Sequence, residues 1–247
     1  MAGDLMSEIH VTVPQALDGE TIPQLYADVS AAMAGSAGAI ILQGTEGLFS
    51  RGIDFEYLLR AGYKEFEPAV QTFMETLLLL RSGPKPVIAV IDGEARGSGV
   101  GLVAAADIAI ATTGSEFGMP ESLFGLSPAL VMPFLEERIT PQCARLLALI
   151  AHAWTAEEAR SSGLIDRVVD ATALRRETRN TARRFALANP GSVARIKGHG
   201  TVCGHDPLRR RVEMAAAEML EAMREPQVRD RILRFMVEGV APWKLKD

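Results

Sequence analysis

The sequence predicts an α/β core followed by a helical C-terminal region, and three observations carry that expectation. Short apolar runs alternate with segments of helical periodicity up to about residue 128. Two of those runs, residues 39–42 and 87–91, lead into glycine turns. From residue 129 onward helical spacing dominates, which places helices beside or after the sheet.

Residues 9–13 alternate as a half-buried strand does, and residues 22–33 carry apolar side chains at helical spacing up to Gly35. Residues 39–42 form the next strand, residues 45–52 a loop, and residues 55–60 a short helix. A long apolar face spans residues 66–81 and is stopped by Ser82-Gly83-Pro84. Residues 87–91 read as a buried strand, residues 102–106 as a small-residue helix, and residues 107–111 and 116–119 as strands. Helices follow at 130–138 and 142–150, with Thr140 as N-cap and Pro141 at the first helical position of the second. Thr155-Ala156-Glu157-Glu158 opens a helix that ends at Gly163, and residues 164–169 return as a strand. A charged amphipathic helix covers 172–187, Asp206-Pro207 opens another reaching about Met223, and 227–237 form the last. No internal repeat is evident.

Composition narrows the function. A chain of 247 residues with 48% hydrophobic and 23% charged residues supports one large core, here residues 1–187, with a helical region at 188–247. A net charge of -5 argues against a nucleic-acid binder, whose affinity rests on a basic surface. No apolar stretch approaches the roughly twenty residues of a membrane span, and Met1–Glu8 lacks a basic segment before an apolar one. The expectation is a cytoplasmic protein with free thiols at Cys143 and Cys203. His10, His152, His199 and His205 show no metal-ligand spacing, and His199 and His205 lie in a glycine-rich stretch that reads as a loop. Ser98 does not sit in a hydrolase elbow, because the frame Arg96-Gly97-Ser98-Gly99-Val100 fails the Gly-x-Ser-x-Gly pattern. Its glycines are also too close together for a dinucleotide fingerprint.

The chemistry is carried by Phe49-Ser50-Arg51-Gly52-Ile53-Asp54 and Gly93-Glu94-Ala95-Arg96-Gly97-Ser98-Gly99-Val100-Gly101. A strand that ends in a glycine turn and feeds a helix leaves backbone N–H groups without internal partners. Two such turns, joined by a parallel sheet, can aim two donors at one oxygen, the geometry that stabilises a thioester or ester carbonyl as it becomes an enolate.

These segments, with Lys85-Pro86-Val87-Ile88-Ala89-Val90-Ile91-Asp92-Gly93, Phe117-Gly118-Met119-Pro120-Glu121 and the run from Ala156 to Asp166, resemble the crotonase (enoyl-CoA hydratase/isomerase) superfamily over most of the chain. The resemblance implies a spiral of ββα repeats, a C-terminal helical region that closes the pocket and mediates trimerisation, and a homotrimer or dimer of trimers. It places the oxyanion donors on the backbone N–H groups of Ile53 and Ser98. Of the family's two glutamates, one falls on Glu121; the other falls on Gly101 and is missing. Hydration run by two carboxylates is therefore in doubt, while chemistry run by one remains available.

Glu121-Ser122-Leu123-Phe124-Gly125-Leu126-Ser127-Pro128-Ala129 resembles more narrowly the dehydratase branch of polyketide β-branching cassettes, as do Asp107-Ile108-Ala109-Ile110-Ala111 and the tail Arg234–Gly239 with Pro242-Trp243. That branch removes water from 3-hydroxy-3-methylglutaryl groups on an acyl carrier protein. The decarboxylase branch relies on a histidine whose counterpart here is Met219. The resemblance implies no metal or redox cofactor, since the phosphopantetheine arm arrives with carrier protein or CoA. Val13-Pro14-Gln15-Ala16-Leu17-Asp18 has no basic residue to grip a nucleotide, which favours the carrier protein. Glu121 is expected to act as acid and base, and Asp54 either assists protonation or caps the following helix. Arg51, Tyr57, Tyr63 and Lys64 lie in the segment that walls the pocket in relatives, with Gly97 and Gly101 as further substrate-side positions. A hydratase or isomerase acting on a short acyl-CoA, a decarboxylase, and a non-catalytic carrier-binding subunit are the alternatives.

Overall fold

A computed structural model describes residues 8–45, 47–198 and 207–238. His199, His205, Cys203, Gly239, Pro242 and Trp243 lie outside the described residues. The chain winds in successive turns, each laying one strand in a large sheet and the next in a small one. Strand β1 (Ile9–Thr12) and helix α1 (Thr21–Ala34) precede the first full turn. That turn comprises β2 (Ile40–Gln43), β3 (Leu48–Ser50) and α2 (Phe55–Ser82). The second comprises β4 (Val87–Ile91), β5 (Glu94–Arg96) and α3 (Ser98–Ala105). The third comprises β6 (Ile108–Thr112), β7 (Glu116–Gly118) and a 3-10 turn at Glu121–Phe124. Helices α4 (Met132–Arg138) and α5 (Pro141–Ile150) follow, then β8 (Trp154–Thr155), α6 (Ala156–Ser162) and β9 (Arg167–Val169). Helices α7 (Ala171–Ala186), α8 (Pro190–Lys197), α9 (Pro207–Ala222) and α10 (Pro226–Glu238) complete the fold. The result is the spiral of ββα turns that the resemblance implied.

The large sheet is parallel, in the order β1-β2-β4-β6-β9, and apolar residues cover both of its faces. Period-two alternation divides them: Ile40 and Leu42, Val87, Ala89 and Ile91 enter the main core, while Ile41, Ile88 and Ile110 pack with Leu174 and Phe185 of α7. The small sheet has the order β3-β5-β7-β8, with only the last pairing antiparallel. Successive turns touch at the corner, where a Cβ on Gly93 (φ +98°) would lie 1.5 Å from the Gly47 carbonyl oxygen. Only glycine fits there.

Thr140 accepts from the Cys143 N–H, and Thr155 with Glu158 forms a full capping box on a helix closed by Gly163 at φ +90°. The helices expected at 55–60 and 66–81 are two limbs of α2, broken at Gly62 (φ +66°, ψ 175°). Other expectations need correction. The supposed loop at 45–52 contains β3, and the second glycine turn contains β5. Strand β8 and helix α8 were not anticipated, and the strand at 164–169 shrinks to β9. Three-residue strands exist because a neighbouring turn pairs with them, so no local periodicity marks them. For α8 a signal was present: Asn189 accepts from the Ser192 N–H and Pro190 opens the first turn.

Candidate active site

Each turn of the spiral delivers one functional group to the same place. Leu17 bridges Ile53 in parallel, donating to the Gly52 carbonyl (2.8 Å) and accepting from the Asp54 N–H (2.9 Å). That pairing uses the neighbours of Ile53 and leaves the Ile53 N–H directed away from Leu17. Ser98 is the first residue of α3, so its N–H has no intrahelical acceptor. The two turns are locked together by close backbone approach. A Cβ on Gly52 (φ +81°) would lie 2.8 Å from both the Arg96 carbonyl oxygen and the Ser98 nitrogen. A Cβ on Gly99 would lie 2.7 Å from the Ser50 carbonyl oxygen. Residues 53 and 98 are therefore neighbours, and both line a cavity of about 520 Å³.

The third turn brings Glu121. Pairing of Arg96 with Gly118 in the small sheet, and a bond from the Gly97 N–H to the Gly118 carbonyl (2.9 Å), set the 3-10 turn against the second glycine turn. Oε1 of Glu121 sits over Gly97, where an added Cβ would be only 2.8 Å away. The residue faces the cavity and is part-exposed, yet Oε2 is sealed from solvent and has no hydrogen-bond partner among the described residues. Burial pushes this carboxyl up to about 7, only partly offset by its own backbone amide. A carboxyl poised there can take a proton and return it near neutral pH.

One wall of the cavity is apolar. Phe55 of α2, Phe124 of the 3-10 turn and Phe235 of α10 form an edge-to-face trio with centroids 4.6, 5.3 and 6.4 Å apart, and Met219 of α9 lies on the same wall.

Arg51, Ile53, Asp54, Gly97, Ser98 and Glu121 all line this cavity. Tyr57, Lys64 and Gly101 do not. Tyr57 is buried and donates to the Glu65 carbonyl (3.1 Å), and Lys64 is exposed outside the lining. Tyr63 is a residue of α2 whose side chain lies outside the description. Gly101 is screened by Val131, whose Cγ2 would be 2.8 Å from a Cβ there. Val131 lines the cavity in its place. Asp54 is the N-cap of α2, its Oδ1 accepting from the Glu56 (2.7 Å) and Tyr57 (3.4 Å) amides. Asp54→Ala is expected to lower stability by about 1 kcal/mol, and Asp54→Asn, which keeps the acceptor, by much less. Urea denaturation of the two variants checks this.

Sequence reasoning passed over Arg96, which also lines the cavity. Its signal was a cation directly before the glycine turn of the second motif.

The chain is similar to known proteins along most of its length. The enoyl-CoA hydratase/isomerase family profile matches residues 9–245. "Bacillaene synthase dehydratase PksH" of Bacillus subtilis is 31% identical over 212 residues, covering 83% of this chain and 79% of that protein. The crystal structure of an enoyl-CoA hydratase from Bacillus halodurans superposes with TM-score 0.84 at 22% identity, over 92% of this chain and 95% of that one, which speaks to the fold alone. A putative polyketide biosynthesis enoyl-CoA hydratase (pksH) from Bacillus subtilis superposes with TM-score 0.82 at 25% identity, over 93% of each chain. A match running from β1 to beyond α10 leaves one assignment: this chain belongs to the enoyl-CoA hydratase/isomerase family and is an enzyme of the hydro-lyase kind its relatives are named for.

Proposed function

We propose that this enzyme removes water from a 3-hydroxy-3-methylglutaryl thioester on an acyl carrier protein, giving the 3-methylglutaconyl thioester. The observation that supports it most directly is the Glu121 carboxyl, with Oε2 sealed from solvent, beside two closely packed glycine turns, while the position the resemblance gives to a second carboxylate is Gly101, covered by Val131. The relative named a bacillaene synthase dehydratase supports dehydration rather than hydration.

In the proposed reaction the thioester oxygen lies between the N–H groups of Ile53 and Ser98. Glu121 takes the C2 proton, and the electron pair moves onto that oxygen as an enolate. Each donor contributes about 3 kcal/mol in the transition state. The enolate then collapses, C2=C3 forms, the C3–O bond breaks, and Glu121 returns its proton to the departing hydroxyl as water. No oxidation state changes, so the reaction calls for no redox partner, and the phosphopantetheine arm belongs to the substrate. Asp54 is assigned to capping rather than proton transfer, on the bonds its Oδ1 makes.

We also infer a homotrimer or dimer of trimers, supported by the exposed apolar residues Leu146, Leu149 and Ile150 on α5. Light scattering of the eluted protein tests it.

Intact mass spectrometry of the loaded carrier protein tests the reaction. Loss of one water is expected with the wild type, and loss of carbon dioxide or no change overturns the reading. Ordinary turnover of crotonyl-CoA favours a short-chain hydratase instead. Gly101→Glu is expected to destabilise the fold by about 1–3 kcal/mol through collision with Val131, without conferring crotonyl-CoA hydration. Thermal unfolding and the absorbance of the enoyl thioester report both outcomes.

A further inference from the structure

We propose that Arg96 is the specificity-determining cation of this site and receives the second carboxylate of a dicarboxylic acyl group. The inference rests on the proposed dehydration, which requires an acyl chain with a free carboxylate a few bonds from C3. The wall shared by Phe55, Phe124, Met219 and Phe235 offers that charge nothing. Among the described residues two cations line the cavity, Arg51 and Arg96. Arg51 is exposed, where water screens its attraction, whereas the Arg96 side chain is 22% exposed.

Position favours Arg96 as well. It immediately precedes Gly97, over which Oε1 of Glu121 sits, and Ser98, whose N–H faces the thioester oxygen in the proposed complex. The guanidinium projects on the face of the small sheet that carries Glu94 and Glu116. Its Nε donates to Glu94 Oε2 (3.3 Å) and its Nη2 to Glu116 Oε2 (2.7 Å). Nη1 donates to no acceptor among the described residues and lies against Gly118, where a Cβ would approach it to 2.6 Å. Gly118, Ala151 and Ala153, all small residues, line the cavity with Arg96.

The two carboxylates already present hold Arg96 only loosely. Glu94 and Glu116 are 52% and 50% exposed, and pairs of that kind contribute little net binding. The substrate carboxylate takes up Nη1 and the longer-held Nε, and Glu94 swings into water. Glu94 is thereby a competitor for the substrate anion, which a purely structural ion pair is not.

Binding of pantetheine thioesters to the whole protein tests this without turnover. The probes are 3-methylglutaconyl-pantetheine and 3-methylcrotonyl-pantetheine, which differ by the carboxylate, with Kd read by calorimetry. Arg96→Met is expected to cut the preference for the acidic thioester about tenfold or more. Glu94→Gln, an exposed change that leaves the fold intact, is expected to raise that preference. The proposal is overturned if Arg96→Met weakens both thioesters alike or neither, or if Glu94→Gln leaves the preference unchanged. Should the preference behave as expected while the carrier-bound substrate loses no water, the dehydration reading fails and the carboxylate site stands.

Discussion

Glu121→Gln is expected to lower kcat about 10³-fold while the protein stays folded. The reason is that one carboxyl carries both proton transfers, and general acid–base catalysis is worth roughly 10²–10⁴-fold. The position at Gly101 is covered by Val131, and the other carboxylates that line the cavity are engaged elsewhere, Asp54 as the N-cap of α2 and Glu94 with Arg96. The wild-type rate should rise with pH through about 7, because the form that removes the C2 proton is the ionised one. The stability of the protein should move the opposite way. Below the ordinary value of 4.5 the group is neutral in folded and unfolded chains alike. Between 4.5 and about 7 only the unfolded chain ionises, so stability falls with rising pH and then levels off. The full change amounts to about 3 kcal/mol, and the glutamine variant should lack it. Steady-state kinetics on the loaded carrier protein, with urea denaturation at pH 5 and pH 8, measure both. A variant that keeps wild-type kcat ends the single-carboxyl mechanism.

Gly52→Ala is expected to cost about 10²–10³-fold in kcat, the loss seen when one oxyanion donor is misplaced. Gly52 holds φ +81°, and a Cβ there would lie 2.8 Å from both the Arg96 carbonyl oxygen and the Ser98 nitrogen. Those are backbone atoms, so a methyl group there cannot be accommodated by a side-chain rotation. The first and second glycine turns must separate, and the Ile53 and Ser98 N–H groups no longer meet on one oxygen. Strain and overpacking together destabilise the fold by about 2–4 kcal/mol. Gly47→Ala isolates the strain, because Gly47 has φ +71° but nothing within 4 Å of an added Cβ. That variant should lose about 1 kcal/mol and retain kcat. Comparing thermal unfolding and kcat in the pair separates collision from conformation; equal kcat values in both would remove the paired-amide account.

Much of the fold was legible because strands and helices here carry strong local signals. The all-buried run at β4, the capping box at Thr155 and the proline-started α5 each announce themselves through residue type and period. The small sheet did not. Its strands of two or three residues are too short for alternation to register, and they form only because one turn of the spiral lies on the next. The same holds for the repeat itself, which exists in the geometry of successive turns and not in matching residues.

For the site, the chain's own order of residues determined which groups were available: two glycine turns after buried strands, one glutamate after Met119-Pro120, and a glycine rather than an acid at position 101. Only the tertiary structure decided which of them meet. It set Gly52 against Ser98 and Glu121 over Gly97, gave Arg96 a place in the cavity, and withdrew Tyr57, Lys64 and Gly101 from it. The physical reason is that a backbone amide or carboxyl acquires its chemistry from what excludes water around it. Those neighbours come from turns of chain some 45 and 70 positions away in sequence, beyond the reach of any local pattern.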